Sequence, residues 1–284
     1  MSVKIIECPR DAMQGMDPFI PTEKKAAYIN QLLKVGFDTI DFGSFVSPKA
    51  IPQLRDTAEV LSMLNLENTK SKLLAIVANT RGAQDACNFE EIDYLGYPFS
   101  ISETFQLRNT NATIDQSLSR VEEMQNLCVQ NNKKILVYIS MAFGNPYADP
   151  WSGQLAAEWT EKLTKDLGVE IIALADTVGV SNGDNITELF STLIPAFPKV
   201  EIGAHLHTLP EDAKTKSNLA YDSGCRRFDA ALKGYGGCPM AEDDLVGNMA
   251  TELLIDALSG VDQLSIDEKQ FSEAMMLAGS TFPL

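Results

Sequence analysis

Eight short β-rich segments alternate with longer helical segments along the whole of this 284-residue chain. The β-rich segments are residues 3–8, 37–42, 72–78, 92–101, 134–143, 169–176, 200–207 and 227–232. The helix-period segments are residues 22–36, 54–64, 81–89, 113–131, 153–167, 182–194, 213–223 and 243–258. This alternation predicts an α/β fold, a single (β/α)₈ TIM barrel over residues 1–284, with one extra C-terminal helix at 268–277.

The first helical segment illustrates the signals used. Thr22 is a helix-capping residue type, Ala26, Ile29 and Leu32 share one face, and Gly36 stands where a helix ends. The main rival fold, a doubly wound open sheet, carries a glycine-rich turn after its first strand. Residues 9–14 read Pro-Arg-Asp-Ala-Met-Gln, which is not such a turn, so the barrel is preferred.

Charge and cysteine content limit the function classes. The chain has 23 basic and 39 acidic residues, a net charge of −16, which disfavours binding to nucleic acid or anionic membranes. No apolar run approaches the roughly 18–20 residues that span a bilayer. The five cysteines are scattered, and the first residues do not resemble a targeting segment. We therefore expect a cytoplasmic, reducing environment.

Polar side chains follow most of the predicted strands. Active sites of (β/α)₈ barrels lie at the C-terminal ends of the strands and in the loops that follow. In this chain those positions bring Arg10, Asp11, Asp41, Asp176 and the pair His205 and His207 to one rim.

The two histidines are the clearest chemical signal, because they are the only two in the chain and are two residues apart. On a strand such residues point to the same face, and two imidazoles on one face suit a divalent metal or a metal and a base. Asp11 is the natural third ligand, and oxygen-rich coordination favours Mg²⁺ or Mn²⁺. The plainer interpretations are two structural histidines and an aspartate that caps a helix.

Three further features belong to the same rim. Arg10 is a candidate donor to a developing oxyanion. Cys238 ends the glycine-rich run from residue 234, a loop able to move. Residues 143–153 form a candidate lid, and residues 47–55 offer positive charge to an anionic acyl carrier.

Eight motifs in order make the chain resemble the 3-hydroxy-3-methylglutaryl-CoA (HMG-CoA) lyases of the metal-dependent DRE-TIM lyase and aldolase barrels. The motifs are Glu7-x-Pro9-Arg10-Asp11-x-x-Gln14, Ser44-Phe45-Val46-Ser47-Pro48-Lys49, Ser102-Glu103-x-Phe105, Gly144-x-Pro146-Tyr147, Asp176-Thr177-x-Gly179-Val180, His205-x-His207, Gly234-x-Gly236-Gly237-Cys238-Pro239 and Gly247-Asn248-x-Ala250-Thr251-Glu252.

The resemblance implies a role for each matched residue. It makes Asp11, His205, His207 and Asn248 ligands of a divalent metal. It also implies that Arg10 faces the thioester enolate, that Cys238 acts from a mobile loop, and that Asp41 and Asp176 are functional acids. The chain departs from the family pattern at Ala12-Met13, Asp41, Thr208 and Pro210-Glu211, and residues 242–244 make the stretch before Asn248 longer and more acidic.

The implied reaction is retro-Claisen cleavage of HMG-CoA to acetyl-CoA and acetoacetate, as in leucine degradation, with His205 as the first choice of base and Asp41 as the second. An acyl-CoA substrate and a homo-oligomer, a dimer, are the implied partners. Two alternatives stay open. One is a related aldolase or Claisen-type synthase acting on a 2-oxo acid, and the other is a barrel without turnover that binds a ligand.

Overall fold

A computed structural model describes residues 2–237 and 246–282, and its centre is a closed barrel of parallel strands. The strands pair in sequence order from β1 to β8, and β1 pairs with β8 to close the sheet. The strands are β1 (Lys4–Glu7), β2 (Thr39–Ser44), β3 (Lys72–Ile76), β4 (Tyr94–Ser100), β5 (Lys134–Ser140), β6 (Ile171–Asp176), β7 (Glu201–Leu206) and β8 (Arg227–Ala230). The predicted barrel is confirmed.

Helices surround the barrel. Within the described part of the chain they are α1 (Pro9–Met13), α2 (Thr22–Leu32), α3 (Thr57–Ser62), α4 (Thr80–Cys87), α5 (Glu103–Thr110), α6 (Ile114–Gln130), α7 (Gly153–Glu161), α8 (Gly183–Ala196), α9 (Pro210–Asp222), α10 (Thr251–Leu258) and α11 (Glu268–Thr281). The extra C-terminal helix predicted at 268–277 is α11. Among the described residues, no helix is both long and apolar enough to cross a membrane.

Three local predictions differ from the structure. Thr22 does not cap α2; its hydroxyl donates to Asp56 at 2.8 Å, and the helix begins after Pro21. The segment predicted as helix at 243–258 is helical only from Thr251 within its described part. The short helices α1 and α5, which follow β1 and β4 directly and lie on the rim, were not among the predicted helical segments.

The barrel interior has two unlike halves. On β3, β5 and β6, alternate side chains form an apolar cluster separate from the main core, which lies between strands and helices. Its buried members are Leu74, Ile76, Leu136, Tyr138, Ile171 and Ala173. On the opposite side β7, β8 and β2 place buried polar groups, namely His205, Arg227, Asp229 and Asp41. This polar half opens at the C-terminal rim.

Candidate active site

Helix α1 places two charged side chains at the rim directly after β1. Proline at its first position has the fixed φ that starts a helix. Arg10 then donates from Nε and Nη2 to Oδ2 of Asp41, at 3.0 and 2.6 Å, and from Nη1 to Oδ1 of Asp11 at 3.0 Å. The guanidinium is therefore fixed between two carboxylates by charge-assisted hydrogen bonds.

Asp11 meets both histidines. One potential ligand atom from each of Asp11, His205 and His207 lies within 4.8 Å of the other two, and Oδ2 of Asp11 is 3.6 Å from Nε2 of His205. Burial alone would raise the pKa of Asp11, but the charge of Arg10 and the neighbouring histidines lower it well below its usual range. Asp11 is thus an anion at neutral pH.

The two imidazoles are oriented by different acceptors at Nδ1. Nδ1 of His207 lies 3.1 Å from the carbonyl oxygen of Val246, and Nδ1 of His205 lies 3.2 Å from Oδ2 of Asp229. A carbonyl oxygen only accepts, so His207 carries its proton on Nδ1 and leaves the Nε2 lone pair free. Burial and the adjacent His205 lower the pKa of His207. Burial also opposes the charge on His205, but Asp11 and Asp229 raise its pKa overall.

Asn248 lies beside this group because residue 248 forms an isolated antiparallel bridge with residue 207. Its Nδ2 donates to the carbonyl oxygen of Tyr235 at 2.9 Å, so Oδ1 is the atom available to a cation. Gly236, with φ of +98°, lets the backbone pass close by, since a Cβ there would be 2.7 Å from that Nδ2.

Asp41 is buried on β2, and only one of its oxygens is engaged. Oδ2 accepts both bonds from Arg10, whereas Oδ1 has no hydrogen-bond partner among the described residues. Burial raises the pKa of Asp41 to about 6, partly offset by the charge of Arg10. A carboxylate of this kind is able to accept a proton near neutral pH.

Asp176 is engaged mainly by its own turn. Its two oxygens accept backbone N–H bonds from Val180 and Ser181, at 2.8 and 3.0 Å, and Nζ of Lys216 is 3.7 Å away. Its carboxylate shapes the loop after β6 beside His207. The other predicted catalytic residue, Cys238, lies outside the described residues.

These groups open into a cavity of about 900 Å³. Its wall includes Arg10, Asp11, His205 and His207, and it extends over Ser47 and Ile51 to Arg108 and Arg120.

The predicted lid, residues 143–153, is anchored to α5, since Asp149 accepts hydrogen bonds from Ser102 and from both Oγ1 and N–H of Thr104. Arg55 stacks on Phe19, with its Cζ 3.6 Å from the ring centroid.

Two neighbouring groups of side chains could hold a metal ion, and the group around Asp11 fits a divalent cation better. One carboxylate, two imidazoles and an amide oxygen suit Mg²⁺ or Mn²⁺. Cys8, His205 and Asp229 form a second group of potential ligands. There, burial raises the pKa of the Cys8 thiol, with a further rise from Asp229, and the thiol is therefore protonated.

One buried contact of the site was not predicted from the sequence. Asp229 is in the middle of the predicted eighth strand, away from the strand ends at which active sites of barrels lie. The signal was available, because a charged residue on the inward-facing alternation of a barrel strand requires a partner.

The chain is similar to a family of known proteins over most of its length. The HMGL-like family profile matches residues 3–275. Cytoplasmic 3-hydroxy-3-methylglutaryl-CoA lyase of Rattus norvegicus is 32% identical over 262 residues, which are 91% of this chain and 75% of the relative. Hydroxymethylglutaryl-CoA lyase of Bacillus subtilis is 32% identical over 254 residues, 89% of this chain and 84% of the relative.

Solved structures agree. HMG-CoA lyase of B. subtilis superposes with a TM-score of 0.90 at 31% identity, covering 100% of this chain and 96% of that chain. An HMG-CoA lyase of A. baumannii in complex with coenzyme A and 3-methylmalate gives a TM-score of 0.89 at 31% identity, covering 100% and 93%.

Proposed function

The chain belongs to the HMGL-like family, and from that premise we propose that it cleaves HMG-CoA to acetyl-CoA and acetoacetate with the help of a divalent cation. The observation that carries the proposal is the meeting of Asp11, His205 and His207 beside Arg10, on the wall of one large cavity. A ligand set, an oxyanion donor and room for an acyl chain therefore share one site.

We propose that Asp11, His205, His207 and Asn248 hold Mg²⁺ or Mn²⁺. The pKa of Asp11 is lowered, so its carboxylate is ionised and contributes a negative charge to the cation site. The Nδ1 contacts of both histidines leave their Nε2 atoms to bind the cation. A cation held there supplies positive charge that favours ionisation of the substrate hydroxyl and orients its carboxylate.

The remaining residues divide the proton and charge transfers. We assign the base to Asp41, because its Oδ1 has no hydrogen-bond partner among the described residues and burial raises its pKa to about 6, while both nitrogens of His205 face carboxylates. When the hydroxyl proton leaves, the C2–C3 bond breaks to give acetoacetate and the enolate of acetyl-CoA. Arg10, held by Asp41 and Asp11, donates to the enolate oxygen where charge develops.

The last step returns a proton to C2 of the enolate. We assign it to Cys238 or a water beside it, on the resemblance of residues 234–239 to the family loop. Asp176 acts through the loop after β6 rather than on the substrate, since its oxygens bind backbone N–H groups. A single catalytic domain, an acyl-CoA substrate, a homodimer and a cytoplasmic location complete the proposal.

An assay of both products tests this function. The protein is treated with EDTA, dialysed, and incubated with HMG-CoA with and without Mn²⁺ or Mg²⁺. We expect acetyl-CoA and acetoacetate to form in equal amounts, and only when the cation is present. Cleavage of a 2-oxo acid aldol but not of HMG-CoA would favour the aldolase or synthase. Failure to turn over either class would favour the ligand-binding barrel.

A further inference from the structure

Asp229 and His205 face each other across two neighbouring strands deep in the barrel. The two residues are register partners on β8 and β7, and Oδ2 of Asp229 lies 3.2 Å from Nδ1 of His205. Both residues are buried, and the comparisons and the motifs give Asp229 no role. We infer that Asp229 is a positioning residue that holds the proton of His205 on Nδ1 and thereby presents the Nε2 lone pair to the cation. This inference rests on the proposed metal-dependent function.

The strand pairing makes the arrangement rigid. Residues 205 and 229 are held opposite each other by the sheet, so neither backbone can withdraw without breaking the barrel. The ring of Tyr138 lies edge-on to the His205 ring, with centroids 5.3 Å apart, and occupies the space on the apolar side. His205 is therefore constrained at Nδ1 and at one edge, which fixes the direction of Nε2.

His207 provides an internal comparison. Its Nδ1 faces the neutral carbonyl of Val246, whereas that of His205 faces a carboxylate. Both acceptors select the Nδ1–H tautomer, so both Nε2 atoms are available as ligands. A carboxylate acceptor also makes the opposite nitrogen a stronger ligand than a carbonyl does. His205 is thus the imidazole whose affinity depends most on its outer partner.

Arg227 supplies the counter-charge that a buried Asp229 needs. It lies two residues earlier on β8, facing the same side, and its Nη1 donates to Glu201 at 3.1 Å. Burial alone would lower the pKa of Arg227, but Asp229 and Glu201 raise it overall. Gly203 makes room for it, because a Cβ there would be 2.9 Å from Cδ of Arg227. The strand pair thus places a positive charge two residues from Asp229, on the same side of β8.

The chain suits a direct test, because it has only two histidines. In Mg²⁺-loaded protein labelled with ¹⁵N-histidine, long-range ¹H–¹⁵N spectra report the protonated nitrogen of each ring. We expect His205 to carry its proton on Nδ1, with Nε2 unprotonated. A wild-type spectrum with the proton of His205 on Nε2 would overturn the inference, whatever the variants do.

Mn²⁺ affinity, measured by EPR, gives a second readout. We expect Asp229→Asn to weaken Mn²⁺ binding about 10–100-fold, the range usual for loss of an outer partner of a metal-bound histidine. The matched control is Glu7→Gln, which removes an equally buried carboxylate bonded to Leu232 and Thr251 and not to a histidine. Its Mn²⁺ affinity should equal that of the wild type.

The outcomes separate the inference from its premise. If the wild type binds Mn²⁺ and folded Asp229→Asn binds it equally well, only the role of Asp229 is wrong. If the wild type binds no Mn²⁺ and releases no acetoacetate, the proposed function and this inference fail together.

Discussion

The two halves of the barrel interior use the same strand geometry for opposite purposes. The β3–β6 half is lined by side chains such as Leu74, Leu136 and Ile171, which pack on one another. In the β7–β2 half the equivalent inward positions carry His205, Asp229 and Asp41, joined by ion pairs and hydrogen bonds. The apolar half is a wall that excludes water, and the polar half holds the charges in place against it.

The comparison shows where this fold can place charge. In the polar half Arg10 is paired with Asp41 on a neighbouring element, and Asp229 lies against the imidazole of His205 on the next strand. Tyr138 stands at the boundary, because it belongs to the apolar cluster and yet contacts His205 edge-on. Substitutions on either side of this boundary should therefore have different consequences.

Removing the guanidinium of Arg10, at the rim of the polar half, should have the largest effect. We expect Arg10→Met to lower kcat by about 10²–10³-fold, because it removes the donor aimed at the developing enolate charge. Arg10→Lys keeps the charge but not the paired nitrogens and should fall in between. Acetoacetate production measures both, with far-UV circular dichroism as the test of folding.

The matched control is Arg81→Met, at an exposed arginine whose ion pair with Asp85 is 4.0 Å long. Near-normal turnover in folded Arg10→Met would remove Arg10 from the mechanism.

A cavity in the apolar half should affect stability and not chemistry. Leu136 is fully buried, so Leu136→Ala should lower the free energy of unfolding by about 2–5 kcal/mol. At a temperature where the variant stays folded, its kcat should be unchanged. Urea unfolding measures the first quantity, and exposed Val129→Ala, expected within about 0.5 kcal/mol of wild type, is the control. A folded Leu136→Ala variant of unchanged stability but reduced kcat would contradict the claim that the apolar half affects stability and not chemistry.

Glu7, the last residue of β1, should give a pH-dependent effect on stability. Burial raises its pKa from 4.5 to about 8, despite hydrogen bonds from Thr251 and Leu232. Between these values the native chain binds a proton that the unfolded chain has lost, so stability falls as pH rises through that window, by at most about 1.4 kcal/mol per unit.

Glu7→Gln cannot titrate and should lack this component. Urea unfolding of both proteins at pH 5, 6, 7 and 8 would reveal it as a stability difference that moves in favour of the variant as pH rises. Parallel pH profiles would mean that Glu7 does not hold the proton.

The smallest effect on stability should come from a substitution of Tyr138, at the boundary between the two halves. The hydroxyl of Tyr138 is buried and has no hydrogen-bond partner among the described residues. Tyr138→Phe should therefore lower stability by less than about 0.5 kcal/mol, since no bond is lost and an unpaired buried hydroxyl is removed. Tyr97→Phe is the contrast, because that hydroxyl bonds Ser117 at 3.0 Å and its loss should cost about 1 kcal/mol. A larger loss in Tyr138→Phe than in Tyr97→Phe, by urea unfolding, would place a strong unseen partner at this hydroxyl.

The periodic and local features of the fold could be predicted from the sequence. The eight strands follow from repeated apolar runs, and His205 and His207 converge because alternate residues of a strand share a face. Helices α1 and α5 were missed, since they follow β1 and β4 directly and the alternation of one helix after each strand leaves no place for a second helix there.

Contacts between residues that are far apart in the sequence could not be predicted. Asp229 bonds a histidine 24 residues away, and Thr22 bonds Asp56 rather than its own helix, because strand register and helix docking decide both. Asn248 came only from the family resemblance. Its closeness to His207 depends on an isolated bridge that local sequence does not encode.

The most direct measurement is the position of Mn²⁺ in crystals of the wild-type protein, located by its anomalous scattering. We expect one strong peak about 2 Å from a carboxylate oxygen of Asp11, from Nε2 of both histidines and from Oδ1 of Asn248. A peak elsewhere, for example on Cys8 and Asp229, or no peak at millimolar Mn²⁺, would contradict it.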